Sequence, residues 1–460
     1  MMASQGGLQL GPLQLRLSPQ ADPLHFYTCG DSVRGEVQVA REEKARKVQI
    51  SFKAKSRSAM CEQPEGPTEE LSIDLFCYTT ELFAFTGEEV DALSEKGRTH
   101  VSFPFEFQFP WVVGLPAPGH RGEPLQRSDD FENLRGHALP PSFHAKCNGA
   151  PQSIEYMLEA SLATTALARS TRRVEQSLPF IPPCPCPHPP ARAPISRTTE
   201  LARRHHRLDP RLAAQHAGFR TRIKHLLAGP DPARPSVTFA LTATAPARLR
   251  AGHALSSPGG SGSGIALALT HLDRSASVPR APSVALRSFR VTLRGCTALR
   301  LPPAGAGAKE RRAESWSTEW EVAKRCDGAQ GGPPPVLLED CGVVELGRLC
   351  GGPSGLVVPL DVVPGFRSYA LKRTYELQVV LWVQCVGKMY EVEAVRHEVE
   401  VLPSVCREQE GGVDEGVVEV GVRRGAAVRR RAVGELEEEE EEEEEDEVLP
   451  LYHAPPGYEP

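Results

Sequence analysis

The sequence is poor in aromatic residues, 6% of 460, and has no apolar run near the roughly 18 to 20 residues that a membrane-spanning helix needs. Its opening, MMASQGGLQL, has neither a basic nor an apolar leader segment, and neither end carries a lipidation box. These absences lead us to expect a cytoplasmic protein that touches membranes only peripherally. The twelve cysteines form no CxxC pair, and several, such as Cys77 and Cys385, sit inside apolar strand patterns, so buried, reduced thiols are expected and not a disulfide framework. Cys184, Cys186 and His188 lie close together between prolines but lack a second pair at ligand spacing, so no metal site is assigned. Of the 59 acids, thirteen lie in residues 435–460, which hold no Lys or Arg, leaving residues 1–434 with 46 acids against 53 bases, a net charge of +7. A surplus this small over so long a chain argues against nucleic-acid binding.

What the sequence does have is period-2 patterning. In HVSFPFEFQFP, His100 to Pro110, Val101, Phe103, Phe105, Phe107 and Phe109 alternate with polar residues or proline, the mark of a strand with one buried face. Pro104 cannot donate a ladder hydrogen bond, which places this strand at a sheet edge or a bulge. SIEYMLEASL, Ser153 to Leu162, alternates in the same way, and LPPSF followed by Asn148-Gly149 lies between the two. LQLRLS at 13–18, GDSVRGEVQVA at 30–40, KVQISFKAK at 47–55 and LSIDLFCYTTELF at 71–83 complete a run of short strands without helical spacing. That pattern indicates an antiparallel sandwich at about 8–175.

Residues 176–232 read as a linker. IPPCPCPHPP and the residues after it to Ser196 are too proline-rich for a strand or helix, and the basic, His-rich stretch from Thr198 has weak helical spacing broken at Pro210. Two readings of that basic stretch stay open, a solvated insert or a contact with an anionic membrane surface. Strand patterns resume at 236–243, 264–272, 284–295 and 354–363. The clearest is Thr374 to Val401, where two alternating runs flank Gly387-Lys388, expected to form a two-residue II′ turn. This second sandwich is expected at about 233–405 with a loop insertion at 302–335. Residues 406–460 read as a disordered tail, since the run Glu437–Glu445 repels itself into an extended chain.

The tail ends in Pro455-Pro456-Gly457-Tyr458, a PPxY sequence. Two prolines pre-form a polyproline II turn for an aromatic groove, and the tyrosine two residues later fills the adjoining pocket, the arrangement that WW domains recognise. A shuffled chain of this composition would contain roughly 0.07 such motifs, so chance is a poor explanation.

Taken in order, FPFEFQFP, LPPSF and IEYMLEASL, then VPGFRSYALKRTYELQVVLWVQCVGKMYEVE at 363–393, and the terminal PPxY resemble the arrestin superfamily, in particular its fungal α-arrestin branch of trafficking adaptors. The resemblance implies an all-β fold of two consecutive arrestin-like antiparallel β-sandwich domains. It also implies an adaptor without catalytic, cofactor or metal residues. Its partners would be a WW-domain HECT-type ubiquitin ligase, bound through Pro455, Pro456 and Tyr458, and a plasma-membrane transporter or receptor as cargo for ubiquitination and endocytosis. Recruitment to plasma membrane or endosomes would follow. A trafficking or signalling scaffold of the same fold without ligase recruitment is the second reading. An enzyme is disfavoured because most histidines (188, 205, 206, 216, 225) fall in the linker and none neighbours a nucleophile motif.

Overall fold

The computed structural model describes residues 12–18, 26–40, 45–61, 68–84, 100–115, 130–147, 149–164, 171–184, 192–209, 234–253, 255, 264–301, 311–325, 334–350 and 356–404. All of them lie in the first of two units, Met1–Glu419, and none in the second, Val420–Pro460. The described chain is all-β, two antiparallel sandwiches in succession.

The first sandwich contains β1 (Leu13–Leu17), β2 (Ser32–Ala40), β3 (Ala45–Cys61), β4 (Thr68–Ala84), β5 (His100–Gln108), β6 (Phe143–Cys147), β7 (Ala150–Thr164) and β8 (Thr171–Ser177). One sheet has the order β1-β2-β5 and the other β4-β3-β7-β6, with β8 also on β7. The Phe-rich strand is the edge that Pro104 requires: β5 pairs only with β2, and Pro104 stands opposite Glu36. Phe105, Phe107 and Phe109 point into the sandwich, and the β7 residues Ile154, Tyr156, Leu158, Ala160 and Leu162 meet them from the facing sheet, all buried. Rings interlock there, with Phe52 and Phe109 edge to face at 4.9 Å and Phe109 stacked on Phe180 at 5.0 Å. Such pairs add about 0.5–1.5 kcal/mol each beyond their buried area.

The second sandwich contains β9 (Ile195–Arg204), β10 (Ser236–Ala245), β11 (Arg248–Arg250), β12 (Ala266–Arg274), β13 (Val284–Leu301), β14 (Arg311–Arg325), β15 (Val336–Leu338), β16 (Val343–Glu345), β17 (Phe366–Arg367), β18 (Leu371–Cys385) and β19 (Lys388–Leu402). Its sheets run β16-β12-β10-β9 and β11-β19-β18-β13-β14, with β15 on β13 and β17 on β18. Every second residue of β18 from Leu371 to Cys385 is buried, the strict alternation of a two-layer core.

Five details depart from the sequence expectations. Ile195–Arg204, inside the expected linker, is a strand paired with β10 along its whole length. Its large apolar residues are only Ile195, exposed at its start, and Leu201, so hydroxyl pairs (Ser196–Thr244 at 2.8 Å, Thr198–Thr242 at 3.0 Å) and backbone bonds hold it without a hydrophobic period. Leu178 and Phe180, in the same expected linker, are buried in the first core. Arg311–Arg325, inside the expected loop insertion, is a charged edge strand on β13, its period obscured by two register shifts. The hairpin loop is Val386-Gly387 with Cys385 opposite Lys388, and both loop residues have positive φ (47° and 75°), which makes it type I′ and not II′. Residues 356–363, expected as part of a strand, are irregular, with Leu356, Val358 and Val362 still buried.

Candidate functional site

Pro455, Pro456 and Tyr458 lie outside the described residues, as do the acidic run, Cys186 and His188. The polar architecture that is described converges where the two sandwiches meet. The segment 130–142 leaves the first sandwich through Gly136, whose φ of +92° turns the chain, and is tied back by Val113 N donating to His137 O at 2.9 Å. It delivers Asp130, Phe131, Glu132, Asn133 and His137 to the corner formed by β13, β17 and β18.

Arg300 at the end of β13 is fully buried. Its guanidinium donates to Tyr369 O through Nε, to Glu132 O at 2.8 Å through Nη2 and to Asn133 Oδ1 at 3.4 Å through Nη1, and its carbon lies 4.9 Å from the centre of the Phe131 ring. One side chain of the second sandwich thus holds a loop of the first through directional bonds that only a planar fork can make together. Beside it Lys372 Nζ donates to Asp130 at 2.9 Å and Arg312 approaches the same carboxylate at 3.5 Å. The hydrogen bond from Lys372 and its charge hold the Asp130 carboxyl below its ordinary 3.8. Tyr369 donates its hydroxyl to Leu115 O at 2.7 Å, and burial followed by the Glu132 charge pushes the phenol up to about 12, so it stays a donor throughout the neutral range. The His137 ring stands edge to face on Tyr369 at 4.7 Å, and burial lowers its titration. Apolar packing crosses the same junction: Leu299, Leu301, Phe366, Ala370 and Leu371 of the second half complete the first core.

Arg373 is 3% exposed. It crosses the face of Gly295, where an added Cβ would come within 1.9 Å of its Nη2, donates to Thr297 Oγ1 at 2.7 Å, and lies 5.1–5.7 Å from the ring centres of Tyr375, Phe143 and Trp320. It also forms part of the wall of a cleft of about 660 Å³ whose other walls include Leu139, Pro140 and Pro141 of LPPSF, Pro182 and Phe366. LPPSF itself is tied down: Tyr156 donates to Pro140 O at 2.5 Å, and Ser142 Oγ accepts from Phe180 N at 2.9 Å.

This arrangement clamps the two sandwiches to each other. Among the described residues no group of three or more His, Cys, Asp or Glu could hold a metal ion, and no helix is long and apolar enough to cross a membrane. The sequence reading missed Arg300 and Arg373. The trace of Arg373 was present: it occupies an inward position in the alternation Leu371, Arg373, Tyr375, Leu377, opposite Thr297 and diagonal to Gly295, which makes room for its guanidinium.

The chain matches no protein-family model and no curated protein sequence. Paired all-β sandwiches host many unrelated functions, so the fold alone does not identify an arrestin.

Proposed function

We propose that the protein is an adaptor that brings a WW-domain HECT-type ubiquitin ligase, bound at Pro455, Pro456 and Tyr458, to plasma-membrane transporters or receptors for ubiquitination and endocytosis. The observation that carries this reading is the PPxY sequence beyond a self-repelling acidic spacer. The all-β fold, with two sandwiches and a polar junction, is compatible with it. Its physical logic is tethering: one part holds cargo and a linked short motif holds ligase, which raises the effective concentration of one at the other without a new contact. A single PPxY makes a weak contact, so recruitment in this scheme is reversible.

The competing scaffold reading, with the same fold and no ligase, is separated by deleting residues 455–458 in cells. The adaptor reading expects ubiquitin-modified membrane proteins that depend on this chain to disappear while their association with it survives. Unchanged modification with unchanged association would favour the scaffold.

A further inference from the structure

The end of β9 carries Arg203-Arg204-His205-His206-Arg207, and packing gathers several of these with neighbours far away in sequence. His205 N donates to Pro235 O at 3.0 Å, which brings Arg234 alongside. Arg203 Nη2 donates to Val386 O at 3.4 Å, and Tyr390, beneath the Lys388 ammonium at 4.5 Å, donates its hydroxyl to Ala202 O at 3.0 Å, so the tip of the β18–β19 hairpin closes on the same spot. The imidazoles of His205 and His206 lie 4.2 Å apart, and His205 Nδ1 accepts from Arg207 N at 3.1 Å, which leaves Nε2 as the protonated nitrogen.

Two guanidinium nitrogens in this group, Arg203 Nε and Arg234 Nη2, are shielded from solvent with no acceptor. A buried donor left without a partner is unfavourable, more so when it is charged. Among the described residues no carboxylate is ion-paired with Arg203, Arg207, Arg234 or Lys388. Crowded cations with donors turned inward favour an anion among them.

We propose that this cluster binds a tetrahedral oxyanion, a phosphate-type group, between Arg203, Arg234 and the His205–His206 pair, and that binding is coupled to uptake of a proton by His205. The field within the cluster supports the coupling. His205 is held down to about 4 by burial first, then by His206, Arg203, Arg207 and Arg234. An anion among these groups opposes their field and raises the imidazole toward its ordinary 6.5; the proton enters at Nδ1 and releases the bond from Arg207 N, so the complex holds a proton that the free protein lacks between those two values. Affinity therefore rises as pH falls through that window, by at most about tenfold per unit for one proton. The phosphate group could belong to a soluble ion or to a lipid headgroup, and the chemistry of the site is the same for both.

The test is calorimetric titration of the full chain with sulfate, whose charge is constant across the window, against chloride at matched ionic strength, at about pH 7 and about pH 5.5. The expected result is saturable binding that tightens several-fold at the lower pH with net proton uptake. Arg234→Gln and Arg203→Gln should each remove binding, while His205→Gln, which takes up no proton, should weaken it at the lower pH and abolish its pH dependence, with thermal unfolding confirming that all three variants fold. Sedimentation with phosphatidylcholine vesicles, with and without phosphatidic acid, separates the sources. Capture that shares the variant and pH pattern assigns a lipid headgroup, and sulfate binding without capture assigns a soluble ion. Absence of sulfate binding, binding indifferent to Arg203 and Arg234, or a pH dependence that survives His205→Gln would overturn the proposal.

Discussion

Arg373 is a cation in a nearly closed space, and Gly295 provides that space. Because a methyl group there would meet the guanidinium at 1.9 Å, Gly295→Ala is expected to destabilise the fold by roughly 1–3 kcal/mol, the usual cost of overpacking. The loss should be partly recovered in Gly295→Ala/Arg373→Met, with a coupling above about 0.5 kcal/mol in denaturant unfolding; strict additivity would show that the two do not compete for one space. Arg300 differs, since its removal leaves the carbonyls of Tyr369 and Glu132 without their donor. Arg300→Met should cost on the order of 2–3 kcal/mol, and Arg300→Lys, with one point donor in place of a fork, should recover little of it. Asp130 contributes at the margin. Its folded value lies below the ordinary 3.8, so its stabilisation is full above the unfolded value and disappears as pH falls through the folded one. Asp130 is more than half exposed, so the pair is screened by solvent and worth less than about 1 kcal/mol. Asp130→Asn is expected to lower the melting temperature slightly at neutral pH and to make no difference in strong acid.

Among the elements, the β18–β19 hairpin sets both the second core and the basic cluster at its tip. Its type I′ loop forces Val386, a β-branched residue, to φ +47°, a conformation that Asn or Gly adopts far more readily. Val386→Asn is therefore expected to raise stability by about 1 kcal/mol, read as a higher denaturant midpoint with unchanged slope; a lower midpoint would mean that the valine side chain stabilises more by packing than it costs in strain. This hairpin was legible because its apolar period is strict, yet the loop was misplaced by one residue, since glycine serves I′ at the second position as well as II′ at the first. A bulge also hid in β19: Val379 faces Val395 while Val380 faces Glu393, so Ala394 is the extra residue and the buried phase shifts from Val392 and Ala394 to Val395, Val399 and Val401. Strands β9 and β14 were not legible for the opposite reason. They are edge strands held by backbone bonds and charged or hydroxyl side chains, which leave no hydrophobic period to read. The junction clamp was illegible because it depends on contacts more than 160 residues apart, between Arg300 and the 132–133 carbonyl and amide.

Across the described molecule, the two sandwiches share one boundary in which apolar residues of the second complete the core of the first and Arg300, Lys372 and Tyr369 reach across. The halves should therefore unfold together. A single transition in the parent chain that splits in Arg300→Met is the expected calorimetric signature, whereas two transitions in both would mean that the boundary carries little energy. Adaptor function rests on a different part of the chain, the terminal Pro455-Pro456-Gly457-Tyr458. The most direct measurement is binding of the full-length protein to a panel of WW domains beside Tyr458→Ala. Saturable binding in the micromolar range that the substitution removes is the result expected of a ligase adaptor; no binding, or binding indifferent to Tyr458, would contradict it.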